Sequence, residues 1–234
     1  MSTPPEGTRS VVVAIDGTSG SGKSSTARAA AARTGLRYLD TGAMFRAMTL
    51  WMLNNNIDLT NQGAVSACAS YPKIEISTDP QNPSVKLDGV DVSAEIRGES
   101  VNAAVSPVST VPRVRSVLLT QQRDLITASL PRGGMVVEGR DIGTVVWPTA
   151  SVKLYLVADA DTRAARRAAQ TGGAHAAAHD NLTTRDDIDS SRATAPAQAA
   201  EDALQIDTGD YSLAEMIEGV VSMIQAAQAG FSDE

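Results

Sequence analysis

Residues 17–24 read Gly-Thr-Ser-Gly-Ser-Gly-Lys-Ser, the pattern Gly-x-x-x-x-Gly-Lys-[Ser/Thr]. Glycines at these places let the backbone wrap so that successive N–H groups point at phosphate oxygens. Lys23 adds a mobile positive charge for the β- and γ-phosphates of a nucleoside triphosphate, and the Ser24 hydroxyl is a candidate Mg²⁺ ligand. The context on either side agrees. Val11-Val12-Val13-Ala14-Ile15 is an apolar, β-branched run of the kind buried in parallel sheets. Ser24 to Arg33 is Ala-rich and predicts a helix, with Gly35 as its stop. A strand, a Gly-rich turn and a helix N-terminus together make an anion site. The glycine order is Gly-x-x-Gly-x-Gly, which argues against a dinucleotide fingerprint.

Strand and helix signals then alternate. Leu36 to Leu39 is a short strand, and Asp40 or Thr41 caps a helix from Gly42 to about Asn55. Further strands are expected at Met135–Glu138, Val152–Val157 and Leu204–Asp207. Asp159 or Asp161 caps a helix carrying Arg163, Arg166 and Arg167, and an amphipathic helix runs from Ser212 to about Gln228. This is the signature of an α/β fold: a P-loop NTPase-type parallel sheet covered by helices on both faces, with ligands at the C-terminal strand ends. One segment breaks the rhythm. Lys73 to Ser77 and Ser84 to Leu87 alternate with period two around a Pro/Asn/Asp turn cluster, and Asp88-Gly89 turns again before Val90-Asp91-Val92. This predicts a small inserted antiparallel β subdomain. Thr171 to Thr184 holds Gly172-Gly173 and an Ala/His-rich run, a candidate lid. The expected organisation is a core of 11–62 and 103–229 with a lid at about 168–192, an insert at 63–102, and flexible tails at 1–10 and 230–234.

Composition narrows the partners. The 234 residues carry 20 basic and 27 acidic side chains, a net charge of −7, which disfavours a nucleic-acid-coating role. Cys68 is the sole cysteine, so no disulfide framework and no Cys-based metal site is expected. The polar first ten residues lack the order of a signal peptide, and no apolar run approaches membrane-spanning length. The expectation is a soluble, monomeric protein of a reducing cytoplasm, with neither nucleic acid nor membrane as partner.

Guanine-reading Asn-Lys-x-Asp is missing, and the apolar run before Glu138 leads into Glu138-Gly139-Arg140-Asp141. That turn places an arginine and a carboxylate over the sheet edge, which suits a second, phosphate-bearing substrate better than a water nucleophile. Several blocks now stand together: Asp16 to Ser24, Leu39-Asp40-Thr41-Gly42-Ala43-Met44-Phe45-Arg46, Asp91 to Arg97, Pro112-Arg113-Val114-Arg115, Glu138 to Val146, and Arg185-Asp186-Asp187 through Arg192 to Pro196. In order and spacing, from about Val11 to Val221, the chain resembles bacterial cytidylate kinase. The resemblance implies transfer of the γ-phosphoryl group of ATP to CMP or dCMP, with Mg²⁺. It implies that Gly17, Thr18, Ser19, Gly20, Ser21, Gly22, Lys23, Ser24 and Ser25 cradle the ATP phosphates. It places Thr41, Arg46, Arg140 and Arg192 around the CMP phosphate and the transferring group. Ser106, Arg115 and Asp141 match positions that hold the cytosine ring, and Arg185 and Asp189 match lid-side positions near the monophosphate and its ribose. Phe45 departs from the family, where a tyrosine is common, and Ala168 to Asn181 is richer in Ala, Gly and His than in relatives.

These residues make physical sense for that reaction. A CMP phosphate oxygen is already anionic, so no general base is needed. The difficulty is repulsion between two polyanions, which Lys23, Arg46, Arg140, Arg185 and Arg192 would relieve. Cytosine offers an amino donor at C4 and an acceptor at N3. Asp141 and Ser106 accept from the first, and Arg115 donates toward the ring acceptors. Two readings stay open at several positions. Ser106 is either a base reader or a helix cap preceding Pro107. Arg163, Arg166 and Arg167 serve the adenine or phosphate side, or they form an exposed helix face. His175 and His179 lack a neighbouring carboxylate or cysteine cluster and are read as solvated. The rival functions are a P-loop kinase for another small acceptor such as UMP or AMP, and a non-catalytic nucleotide-binding regulator.

Overall fold

Strand β1 (Val11–Gly17) is buried at every position, and its side chains divide by parity between two apolar layers. The computed structural model describes residues 9–171, 183–184, 186–191 and 194–230. Beside β1 lie β2 (Arg37–Asp40), β6 (Gly134–Glu138), β7 (Val152–Val157) and β8 (Leu204–Asp207), in the order β2-β6-β1-β7-β8 and parallel throughout. The register sets Ile15 opposite Glu138 on one side and Leu154 on the other. From β1 the chain goes to one half of the sheet, and from β6 to the other. The crevice above the carboxyl ends of β1 and β6 is therefore a topological switch point, where such sheets bind ligands.

Helices cover both faces. On one, Ala27, Ala30 and Ala31 of α1 (Lys23–Thr34) and Met216, Val220 and Ile224 of α7 (Leu213–Ala229) pack on Val11, Val13 and Ile15. On the other, Met44 and Met48 of α2 (Thr41–Asn54), Val108 of α4 (Glu99–Ser109) and Leu118 of α5 (Pro112–Ser129) pack on Val12, Ala14 and Val137. Asp40 is the cap of α2: its carboxylate accepts from the Ala43 N–H at 2.9 Å, and Thr41 is the first helical residue. At α7, Ser212 and Glu215 form a reciprocal capping box. α6 (Ala160–Thr171) follows β7.

Three elements were not legible in the periodicity: α3 (Gln62–Cys68), and the pair α4 and α5. Ser106 and Pro107 lie inside α4, so Ser106 is not a helix cap. The inserted sheet, β3 (Ile74–Ile76), β4 (Val85–Leu87) and β5 (Val90–Asp91), is antiparallel with three strands in sequence order. Its buried Ile74, Val85 and Leu87 join the apolar layer of α2, and the Tyr38 N–H donates to Thr78 O at 3.0 Å. The turn cluster is thereby tied to the outer edge of β2. Among the described residues no helix is long and apolar enough to cross a membrane.

Candidate active site

A cleft of about 1480 Å³ lies over the carboxyl ends of the central strands. Ser19 to Ser25 line one part of it, because β1 ends directly in the turn that starts α1. Gly17 and Thr18 form the root of that turn. Gly17 O accepts from Arg140 Nη1 at 2.6 Å, and the Thr18 N–H donates to Leu156 O at 3.2 Å. Lys23 is buried, and its ammonium donates to Thr18 O and to Ser21 Oγ. Burial, and next the Arg140 charge, push its pKa well below that of an ordinary lysine.

Beneath the lysine, Glu138 closes the floor. Ser24 Oγ donates to Glu138 Oε2 at 2.8 Å, the Tyr38 hydroxyl donates to Oε1, and Thr41 Oγ1 donates to the Glu138 carbonyl at 2.7 Å. Burial, with the Asp40 charge adding, holds the Glu138 carboxyl above the usual carboxylate range. Ser24 Oγ and the Glu138 carboxylate are hard oxygen donors side by side at the phosphate loop. That donor set fits Mg²⁺, which binds one or two protein oxygens and completes its shell with phosphates and water.

The opposite part of the cleft gathers Thr41, Arg46, Ser106, Arg115, Arg140, Asp141 and Asp189. Thr41 and Arg46 come from α2, Ser106 from α4, Arg115 from α5, and Arg140 and Asp141 from the turn after β6. Arg46 projects from the second turn of α2 and donates to Asn102 Oδ1 at 2.6 Å and Ile96 O at 3.2 Å. Arg115 of α5 is buried, donates to Asp141 Oδ2 and to Ser109 O at 3.2 Å, and sits 5.4 Å above the Phe45 ring. Phe45 thus supplies a ring face to the guanidinium where a tyrosine is expected. Arg140 Nε donates to Asp189 Oδ2 at 2.9 Å.

The remaining arginines separate. Arg163 is buried, not on an exposed face, and lies outside the cleft wall. Arg166 lines the cleft and donates to Thr208 Oγ1 at 2.8 Å and Thr208 O at 2.9 Å. Arg185, Arg192, His175, His179 and the side chain of Arg167 lie outside the described residues.

Sequence reasoning assigned no role to Asp16, Tyr38 or Asp186. For Asp16 a signal existed: it is the one acid in an apolar strand, directly before the phosphate turn. Its carboxylate accepts the Ile142 N–H at 2.9 Å and the Gly143 N–H at 2.8 Å, fixing the π-helical turn Ile142–Val146 that follows Asp141. Burial pushes its pKa up to about 6, against those two hydrogen bonds. Between its ordinary value of 3.8 and about 6, the folded protein holds a proton that the unfolded chain has released. Stability therefore falls as pH rises through that window, by up to about 3 kcal/mol from this group. Asp16→Asn removes that slope. Urea unfolding of both proteins at pH 4 and pH 7 should show the variant gaining on the wild type as pH rises. A constant difference would contradict the assignment.

A parallel sheet carrying Gly-x-x-x-x-Gly-Lys-Ser at its switch point, facing arginines in the same cleft, defines a P-loop phosphotransferase. Residues 13–226 match the family described as Cytidylate kinase, and the chain belongs to that family. It is 50% identical over 221 residues to a cytidylate kinase of Streptomyces coelicolor, covering 94% of this chain and 95% of that one. It is 48% identical over 220 residues to the cytidylate kinase of Streptomyces avermitilis, covering 94% of each. A cytidylate kinase of Nocardia farcinica is 48% identical over 213 residues, covering 89% of this chain and 90% of its own. A solved structure of an uncharacterized protein from Eubacterium ventriosum overlays with a TM-score of 0.50 at 10% identity, covering 93% of this chain and 99% of that one, a likeness of fold alone.

Proposed function

We propose that the chain transfers the γ-phosphoryl group of ATP to CMP, and also to dCMP, acting as a monomer in the cytoplasm. The observation that carries this reading is the buried Arg115–Asp141 pair, which lines the same cleft as Ser106 and the phosphate loop. Ser19 to Ser25 hold the donor phosphates from loop N–H groups and hydroxyls, with Gly17 and Thr18 as the root of the cradle. Arg46, Arg140 and Thr41 face the acceptor phosphate, joined by Arg185 and Arg192, and Asp189 orients Arg140 and meets the ribose. Catalysis is positioning plus charge: Lys23 and the arginines offset the repulsion between the two polyanions, and no side chain has to take a proton. Ser24, with Glu138 behind it, would hold Mg²⁺. When bound, Mg²⁺ supplies charge neutralisation at the phosphates. The segment at about 168–192 acts as a lid that keeps water from the transferring group, and residues 63–102 form the acceptor-side insert.

The test is ADP production from Mg-ATP with CMP, dCMP, UMP, AMP and GMP offered separately. Turnover confined to the cytidine nucleotides supports the reading, and turnover with another monophosphate in their place overturns it. Base choice should rest on Asp141. Its oxygen meets the cytosine amino group but would set lone pair against lone pair with uracil, at a cost of about 1–3 kcal/mol. In Asp141→Ala the CMP/UMP ratio of kcat/KM should fall by roughly 5- to 150-fold. An unchanged ratio removes Asp141 from base recognition.

A further inference from the structure

Ser19, the third residue of the phosphate loop, is gripped from outside the cleft. Its N–H donates to Asp186 Oδ1 at 3.2 Å, and its carbonyl accepts from Arg163 Nη1 at 3.0 Å. Arg163 Nη1 also donates to Asp186 Oδ2, so the ion pair and the two polar groups of Ser19 close a ring. The arginine is itself anchored: Nε donates to Ala158 O at 3.0 Å, just past β7. The fit is close, since a Cβ on Gly20 would lie 3.2 Å from Arg163 Cβ.

The same helical segment makes a second grip. Asp189, three residues after Asp186 and so on the same helix face, holds Arg140 Nε, and Arg140 Nη1 donates to Gly17 O. One turn of helix therefore touches the loop directly at Ser19 and through Arg140 at Gly17. A rotation or slide of the segment would move Arg140 together with the loop.

We propose that Arg163 and Asp186 form a positioning clasp that fixes segment 186–191 on the phosphate loop and thereby sets Arg140 for transfer. Neither side chain lines the cleft, so they act through Ser19 and Arg140 and not on substrate. The role of Arg140 in this inference rests on the phosphoryl-transfer reading above. The clasp explains why an arginine on α6 is buried away from the cleft wall, and why an acid stands close to the cleft arginines. Such an acid would repel phosphate if its charge were not already taken up by Arg163.

The experiment compares wild type, Asp186→Ala, Arg163→Met and the double variant. Amide hydrogen exchange is followed on the loop peptide containing Ser19 in the free protein, and kcat and KM are measured with Mg-ATP and CMP. The expected result is faster exchange at the loop and a fall in kcat of about 10- to 100-fold in each single variant, with the KM for CMP little changed. The double variant should be no worse than the poorer single one. Unfolding midpoints identify loss that merely tracks unfolded protein, which would overturn the clasp. Wild-type exchange in Asp186→Ala would also overturn it, as would faster exchange with unaltered kcat. If the wild type fails to turn over CMP, the acceptor reading falls, and loop exchange alone decides whether the clasp exists.

Discussion

Lys23→Met should lower kcat for CMP phosphorylation by about 10³-fold while leaving the protein folded. The lysine is buried at the mouth of the phosphate loop with its ammonium on Thr18 O and Ser21 Oγ. In the proposed reaction those partners would hold the charge where the β- and γ-phosphates arrive, so that it needs little reorganisation when negative charge shifts during transfer. Methionine has nearly the same length and no charge. Stability should hold or rise, because a desolvated ammonium beside Arg140 opposes folding. Steady-state turnover together with a urea unfolding curve checks both halves. A kcat within about tenfold of wild type would show that the arginines and the loop amides carry the transition-state charge without Lys23.

Gly17→Ala should be among the most destabilising single substitutions in the chain, costing about 4 kcal/mol or more. Gly17 ends β1 at φ +139°, and a Cβ there would lie 1.9 Å from Leu156 O. The obstacle is backbone of the neighbouring strand, so no side-chain rotation relieves it. Gly35→Ala is the informative control. Gly35 closes α1 at φ +70° with nothing near its missing Cβ, so only the backbone penalty of about 1–2 kcal/mol applies there. Chemical denaturation of the two variants separates the clash from the dihedral. Similar losses in both would mean that the β1–β7 contact gives way easily.

The sheet and the phosphate loop were legible because each announces itself locally. The run at Val11–Ile15, the glycine spacing and the alternation at Lys73–Leu87 need no distant partner to be read. Helices α4 and α5 were not legible, because their apolar positions make sense only against β6 and α2. In the site, the arginines and Asp141 came from motif blocks. Tyr38 lies in no such block and Asp186 lies in one without an assigned role, since each matters only through a partner far along the chain: Glu138 lies 100 residues from Tyr38, and Ser19 lies 167 residues from Asp186. Arg163 shows the same limit. Its sequence neighbourhood leaves a phosphate-side role and an exposed helix face equally open, and tertiary contact makes it a buried anchor.

The position of β1 at the centre of the sheet has a consequence for biosynthesis. Both strands that flank it, β6 and β7, begin only at Gly134 and Val152. At ordinary translation rates, on the order of 5–25 s separate completion of β1 from synthesis of its first partner. During that interval a five-residue aliphatic run leaves the ribosome with no strand to pair with and no complete apolar layer to cover it. The nascent chain is therefore most exposed to self-association until residues 134–138 emerge, and the arrival of β6 is the event that ends the hazard.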